Sequence, residues 1–350
     1  MKKKYKTLNR IRVPLPDHEV LQLHRNTRPE LYKKSIKKLI RNSLPLNELS
    51  RYPDIDSFLI KLSKFINIKS DNIMITSGID NAIKIIFESF DISYATILSP
   101  TYKMYEIYAK MYEVTLTKIQ SRQDLTIDIN KIKEIIPKTD ILFIPNPHEP
   151  VENVFSRKEI SEIVKIALWH DVLVVIDEAY FLFGAPTMID MATKKSNLLV
   201  MRSFSKGFGL PAIRLGYTVG NKKLISYLSS RRLAYETNSL SIAIAGWAID
   251  NFRYFNEYIQ EVINTRTFIK NSLLKKGFEV HGSYSNTILI NMSSPKRAMS
   301  ISEELKDENI WVRELTAFPN INTWISVTIG NELTASKFLT KFYSIIEEKL

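Results

Sequence analysis

Residues 201–217 read MRSFSKGFGLPAIRLGY, which sets one lysine, Lys206, between two serines and two glycines with Arg214 a short way beyond. The hydroxyls of Ser203 and Ser205, the amides of a glycine-flanked turn and a guanidinium together suit a phosphate. Upstream, the apolar run VLVVI ends in Asp177-Glu178-Ala179-Tyr180. A carboxylate closing such a run is hard to expose and needs a partner. A plain salt bridge between Lys206 and Asp177 is one reading. The other gives each group its own chemical role, with an amine to capture an aldehyde, a carboxylate to hold a pyridinium proton and a cradle for a phosphate. Those are the requirements of pyridoxal phosphate.

Two other phosphate loops compete with this reading and fail. GFGLPA matches G-x-G-x-x-A, but a dinucleotide site wants an acid about twenty residues on. No Asp or Glu occurs between Gly207 and Tyr235, and no Walker-type GKS or GKT exists.

These groups need elements to hold them. From about residue 72, short apolar runs alternate with helical stretches: NIMITSG, NAIKIIFESF, ATILSP, YKMYEIYAKM, VTLTKI, DILFIPNP, SRKEISEIVKIALWH, VLVVIDEAY and NLLVMRSFSKG. Strands alternating with helices imply a mostly parallel sheet covered on both faces. Such a sheet places ligand-binding residues at the carboxyl ends of its strands. The runs ending at Pro145, Asp177 and Arg202 would therefore bring their chemistry to one edge. Amphipathic helices are expected near 31–43 and across 56–65. From about Ser239 the pattern reads as one long connecting helix and then a smaller α+β unit. We divide the chain into an N-terminal arm with part of the small domain (1–45), a large α/β domain (46–238), and the connecting helix with the small C-terminal domain (239–350).

Composition sets outer bounds. At 350 residues, 45% hydrophobic and 25% charged, the chain is long and apolar enough for a sizeable core. It has no cysteine, so disulfides and thiolate metal sites are excluded, and its five histidines show no H-E-x-x-H spacing, so no metal site is expected. The basic start MKKKYKTLNRIRVPLP lacks the apolar segment of a signal peptide, and no run reaches membrane-spanning length. A soluble, cytoplasmic protein is expected. The net charge of +12 is spread among acidic residues, so neither a nucleic acid nor a membrane partner is expected.

With these residues in place, the chain resembles the fold type I pyridoxal-phosphate enzymes, and among them the class I/II aminotransferases closest to the histidinol-phosphate aminotransferase family. The resemblance spans nearly the whole chain and implies an aspartate aminotransferase-like α/β fold. SFSKGFGLPAIRLGY resembles the family's lysine motif, in which Lys206 carries the cofactor and Ser203, Ser205 and Arg214 hold its phosphate. VVIDEAYFLF resembles the strand that gives Asp177 to the pyridine nitrogen and Tyr180 to the phenolate oxygen. SGIDNAI resembles the loop whose amides bind phosphate, placing Gly78, Ile79 and Asp80 there. SPTYKMY resembles the segment whose Tyr102 stacks on the ring, and RYPD the one sending Tyr52 to the neighbouring subunit's phosphate. A homodimer is implied in the same way, with a small-molecule amino donor and acceptor as partners.

The pattern breaks at three places. The family's Asn-Pro-Thr-Gly is replaced by Glu149-Pro150-Val151-Glu152. An ionised Glu149 cannot donate to a phenolate as asparagine does. It is either protonated, turned toward a cation, or misaligned with His148 beside it. In WISVTIGN, Ser326 takes the place of the arginine that grips a substrate carboxylate. Arg313, and Arg25, Asn26 and Arg28 in the arm, are the candidate substitutes. The altered turn and low glycine content point to a reshaped loop beside the cofactor. The resemblance therefore implies an aminotransferase acting on a small polar, phosphorylated substrate, in histidine biosynthesis or a dedicated pathway such as surface-polysaccharide precursor synthesis. A decarboxylase of a phosphorylated amino acid is the alternative, and a non-catalytic cofactor-binding relative a second one.

Overall fold

The computed structural model describes residues 19–48 and 50–347. The basic start, residues 1–18, lies outside the described residues, as do residues 49 and 348–350. In chain order the strands are β1 (Leu21–Gln22), β2 (Ile73–Thr76), β3 (Tyr94–Ser99), β4 (Thr115–Gln120), β5 (Ile141–Pro145), β6 (Leu173–Asp177), β7 (Leu198–Ser203), β8 (Gly216–Gly220), β9 (Val280–His281), β10 (Thr287–Asn291), β11 (Ile310–Trp311), β12 (Arg313–Glu314) and β13 (Trp324–Thr328). The helices are α1 (Lys34–Asn42), α2 (Ile55–Ile66), α3 (Gly78–Ser89), α4 (Met104–Met111), α5 (Ile129–Ile135), α6 (Arg157–Trp169), α7 (Ile189–Ala192), α8 (Lys222–Ser229), α9 (Ser239–Asp250), α10 (Phe252–Lys275), α11 (Pro295–Asp307) and α12 (Glu332–Glu347).

Strands β5, β6 and β7 are buried at every position because their apolar runs leave no polar face. They form the middle of a seven-stranded sheet of order β2-β8-β7-β6-β5-β3-β4, in which β8 alone runs against its neighbours. Alternate residues feed two cores. Val174 and Ile176 pack with α2, α6 and α9, whereas Leu173 and Val175 pack with α3, α4 and α8. Helix starts follow local chemistry: Ser156 and Glu159 form a capping box that opens α6. The two helices expected near 31–43 and 56–65 run over Lys34–Asn42 and Ile55–Ile66.

A second, antiparallel sheet of order β12-β13-β10-β9 shares a core with α10, α11 and α12. The arm joins it through the parallel pair β1–β11 and through Leu23, which is buried in that core. The single connecting helix expected from Ser239 onward is broken into α9 and α10. Asn251 leaves helical geometry between them, and its side-chain amide donates to the Trp247 carbonyl at 2.9 Å. Helix α10 then spans both cores, placing Phe255 in the first and Ile259 to Leu273 in the second.

The chain goes from β3 outward to β4 and returns to β5 on the other side of β3. That reversal opens a crevice beyond the carboxyl ends of the strands. The register aligns Pro145 with Asp177, Asp177 with Met201, and Ser203 with Gly216, so three strand ends meet there.

Candidate active site

Asp177 closes β6 and is buried. Its Oδ2 accepts from the Tyr105 hydroxyl at 2.8 Å and its Oδ1 from the Ala179 amide at 3.0 Å. Both donors are neutral, and burial pushes the carboxyl up to about 6. A cation brought beside it recovers the lost solvation.

Lys206 lies past the end of β7, its Nζ donating to the Arg25 carbonyl at 3.4 Å and lying 5.6 Å from the centre of the Tyr180 ring. Burial lowers its amine to about 8, with Glu149 pulling the other way and Arg313 adding to the depression. An amine lowered in this way is neutral in a far larger fraction than an ordinary lysine, which prepares it for attack on an aldehyde. The plain salt bridge between Lys206 and Asp177 is not formed: the lysine bonds a backbone carbonyl and the aspartate a phenol.

The groups expected to hold a phosphate meet at the start of α3. Gly78, Ile79 and Asp80 are its first residues, and Ser77 provides no side-chain cap to the helix amides. Gly78 has φ +81°, and a Cβ there would meet Arg214 Nη2 at 2.9 Å. A Cβ on Gly216 would meet the Arg202 carbonyl at 2.8 Å and Gly78 Cα at 3.1 Å. Both positions need glycine so that the segment leading into β8 can hold Arg214 against the helix start. Arg214 Nη2 sits 3.3 Å from Asp80 Oδ2, and Asp80 Oδ1 accepts from the Tyr102 hydroxyl at 2.7 Å. Ser203 Oγ accepts from the Ser205 amide at 2.9 Å, closing the turn that leads into Lys206. Amide donors at a helix start, a guanidinium and two hydroxyls fit a phosphate monoester. With a buried carboxylate and a depressed amine beside them, the set fits pyridoxal phosphate.

Tyr180 is buried, and its hydroxyl accepts from Asn26 Nδ2 at 2.8 Å. Burial and the nearby Glu149 charge raise its phenol well above the usual range. Glu149 turns toward a cation, the second of the three alternatives left open by the sequence: its Oε1 lies 3.8 Å from Arg313 Nη1. Arg313 is the cross-strand partner of Ser326, which is fully buried on β13. His148 is buried with Nε2 2.7 Å from the Pro100 carbonyl, which makes that nitrogen the donor, and burial lowers it to about 4.

The other expected positions are placed differently. Asn26 meets Tyr180 instead of standing open to substrate. The Arg25 Nε donates to His24 Nε2 at 3.0 Å, and only its backbone carbonyl meets Lys206. Arg28 packs its guanidinium 3.8 Å from the Tyr258 ring centre and 4.5 Å from that of Tyr32, a cation–π contact that ties the arm to α10. Tyr52 is three-quarters exposed and stacks on Tyr235 at 4.0 Å.

Three supports carry no clear mark in the sequence. Tyr105 lies on α4, with its ring edge-on to that of Tyr102 at 6.4 Å. Glu178 and Arg202, each next to a site residue, form a buried ion pair at 2.8 Å that ties β6 to β7. Glu152, at φ +60°, accepts from the amides of Ser283 and Tyr284 at 3.1 and 2.9 Å and from the Ser285 hydroxyl, joining the altered turn to the segment before β10.

The chain resembles known proteins over nearly its whole length. The family model described as aminotransferase class I and II matches residues 19–342. Over 339 residues the chain is 34% identical to the histidinol-phosphate aminotransferase of Brachyspira hyodysenteriae, covering 95% of this chain and 94% of that protein. The enzyme of the same name from Methanocaldococcus jannaschii is 28% identical, with 94% and 90% covered. Among solved structures, the histidinol-phosphate aminotransferase from Sinorhizobium meliloti in complex with pyridoxal-5'-phosphate shares the fold at TM-score 0.85 and 18% identity, covering 99% of this chain and 98% of that one. The structure of the Clostridium acetobutylicum histidinol-phosphate aminotransferase does so at TM-score 0.84 and 23% identity, covering 95% and 100%.

Proposed function

The chain belongs to the class I and II aminotransferases, and on that premise we propose that it moves an amino group between an amino-acid donor and a small polar, phosphorylated substrate of the histidinol-phosphate kind. It is a pyridoxal-phosphate-dependent aminotransferase. The observation that carries the substrate reading is Arg313, which stands in register with Ser326 and brings a guanidinium to the side of the site where Glu149 and Lys206 lie. A guanidinium fits the planar array of phosphate or carboxylate oxygens.

Bound pyridoxal phosphate supplies an aldehyde that captures amines and a ring that takes up an electron pair. Lys206 is the residue that would hold that aldehyde, and its amine would take a proton from the substrate carbon that bears nitrogen and return one later in the cycle. Asp177, positioned by Tyr105, would hold the proton at the pyridine nitrogen. Tyr180, positioned by Asn26, would donate to the phenolate oxygen. Arg214, Ser203, Ser205 and the first amides of α3 would bind the phosphate, and Tyr102 would cover the ring.

We read the arm, large and small domains at the boundaries given above. Tyr52 acts on a second copy's phosphate in this reading, and the exposed stack of Tyr52 on Tyr235 beside exposed Leu233 supports a homodimer. No helix among the described residues is long and apolar enough to cross a membrane. A cytoplasmic location is part of the proposal.

The test offers histidinol phosphate as amino donor and 2-oxoglutarate as acceptor, and measures glutamate formed. Accumulation of glutamate is the expected result. Release of carbon dioxide from a phosphorylated amino acid, with no glutamate formed, would favour the decarboxylase alternative.

A further inference from the structure

We infer that Glu149 is a specificity gate on Arg313: an anionic substrate group enters only by displacing the Glu149 carboxylate from that guanidinium. The inference rests on the reading of Arg313 as the group that receives the substrate's anion.

Three observations carry it. First, the strand position where the family grips a carboxylate holds Ser326, fully buried, and a hydroxyl cannot replace a bidentate clamp. The cross-strand partner Arg313 supplies the guanidinium from one strand over. Second, Arg313 is already engaged, with Nη1 3.8 Å from Glu149 Oε1. Third, that oxygen is buried and makes no hydrogen bond among the described residues. A buried carboxylate oxygen without hydrogen bonds is held by charge alone, so it competes directly with an incoming anion. The asparagine that the family carries at this place is neutral and would not compete.

The two departures also act in one direction. Glutamate for asparagine and serine for arginine each lower the charge of the substrate space by one. Glu149 and Arg313 together sum to zero, which matches a substrate bringing one anionic group and one ammonium. The anion takes Arg313, and the released carboxylate is left to face the amine near Lys206. Glu149 therefore sets specificity through Arg313 and takes no part in proton transfer.

The test measures affinity, not turnover. Inorganic phosphate is titrated calorimetrically into cofactor-loaded wild-type protein, Glu149→Gln, and the Glu149→Gln/Arg313→Gln double variant. Loaded protein has its cofactor-phosphate cradle filled, so added phosphate reports on the substrate space. The gate predicts that Glu149→Gln binds phosphate about tenfold or more tightly than wild type, since removing a like charge at this range is worth one or more logarithmic units. It also predicts that the gain disappears in the double variant. Glu149→Asn, which has the residue the family carries, repeats the measurement should the glutamine protein fold poorly. Equal or weaker phosphate binding in both single variants overturns the gate, and so does a gain that survives loss of Arg313. Amino transfer is assayed separately. A tenfold gain without transfer keeps the gate and removes the functional reading, whereas transfer without the gain does the reverse.

Discussion

Tyr105 donates its hydroxyl hydrogen to Asp177 across 2.8 Å, from a position on α4 that is fully buried. The contact fixes one carboxylate oxygen and leaves the charge without a cation of its own. Tyr105→Phe keeps the ring and removes the donor. It is expected to weaken cofactor binding about five- to tenfold, from the roughly 1–1.5 kcal/mol lost with such a hydrogen bond. Equilibrium dialysis of pyridoxal phosphate against both proteins checks it, and unchanged affinity would show that the Ala179 amide suffices to orient Asp177.

Asp177 also makes stability of the cofactor-free protein depend on pH. Its folded value, raised by burial to about 6, stands above the ordinary aspartate value of 3.8. The folded state therefore binds the proton more readily than the unfolded state. This contribution is complete below about 4 and is lost as pH rises through about 6, with a full span on the order of 3 kcal/mol. Exposed carboxylates such as Asp54 and Asp71, held low by hydrogen bonds, act oppositely as pH falls through their folded values. The comparison is thus between wild type and Asp177→Asn: melting temperatures at pH 5 and pH 7.5 should show the acid-side gain in wild type and less of it in the variant.

Lys206 carries the opposite sign. Its folded value near 8 lies below the ordinary lysine value of 10.5, so the neutral amine becomes available as pH rises through about 8. The rate of pyridoxal phosphate capture by the cofactor-free protein should climb through that range and then level off. Stopped-flow absorbance follows it directly, and a rate still rising tenfold per unit above pH 9 would place the amine at its ordinary value.

Glu152 holds a left-handed backbone that costs a side-chain-bearing residue roughly 1–2 kcal/mol, and it recovers this through bonds to Ser283, Tyr284 and Ser285. Glu152→Gly removes both the strain and the bonds. Because several charge-assisted bonds at about 1.5–3 kcal/mol each outweigh the strain, the variant should unfold at lower denaturant. A higher midpoint would mean that the bonds contribute less than the backbone strain.

The chemistry at the strand ends was legible because parallel sheets impose it. Buried apolar runs leave their first polar residues at the carboxyl edge, so Asp177, Ser203 and Lys206 had to come together. Long-range side-chain pairing was not legible. Neither the aromatic cage that takes Arg28 nor the register that sets Arg313 against Ser326 leaves a local periodic signal. Strand β8 was hidden for a related reason: only the short 3-10 turn Pro211–Ile213 separates it from the lysine turn, with no α-helix to mark its start. The break at Asn251 turned on one residue's dihedral angles within an otherwise helical pattern, and local propensity does not fix those.

The most direct measurement is the visible absorbance of protein loaded with pyridoxal phosphate, before and after addition of L-glutamate. A yellow band that is absent in Lys206→Ala, and that gives way to the shorter-wavelength absorbance of the aminated cofactor when glutamate is added, is the predicted result. No band in the wild-type protein, or one that Lys206→Ala retains unchanged, would contradict the assignment of Lys206 as the residue that holds the cofactor.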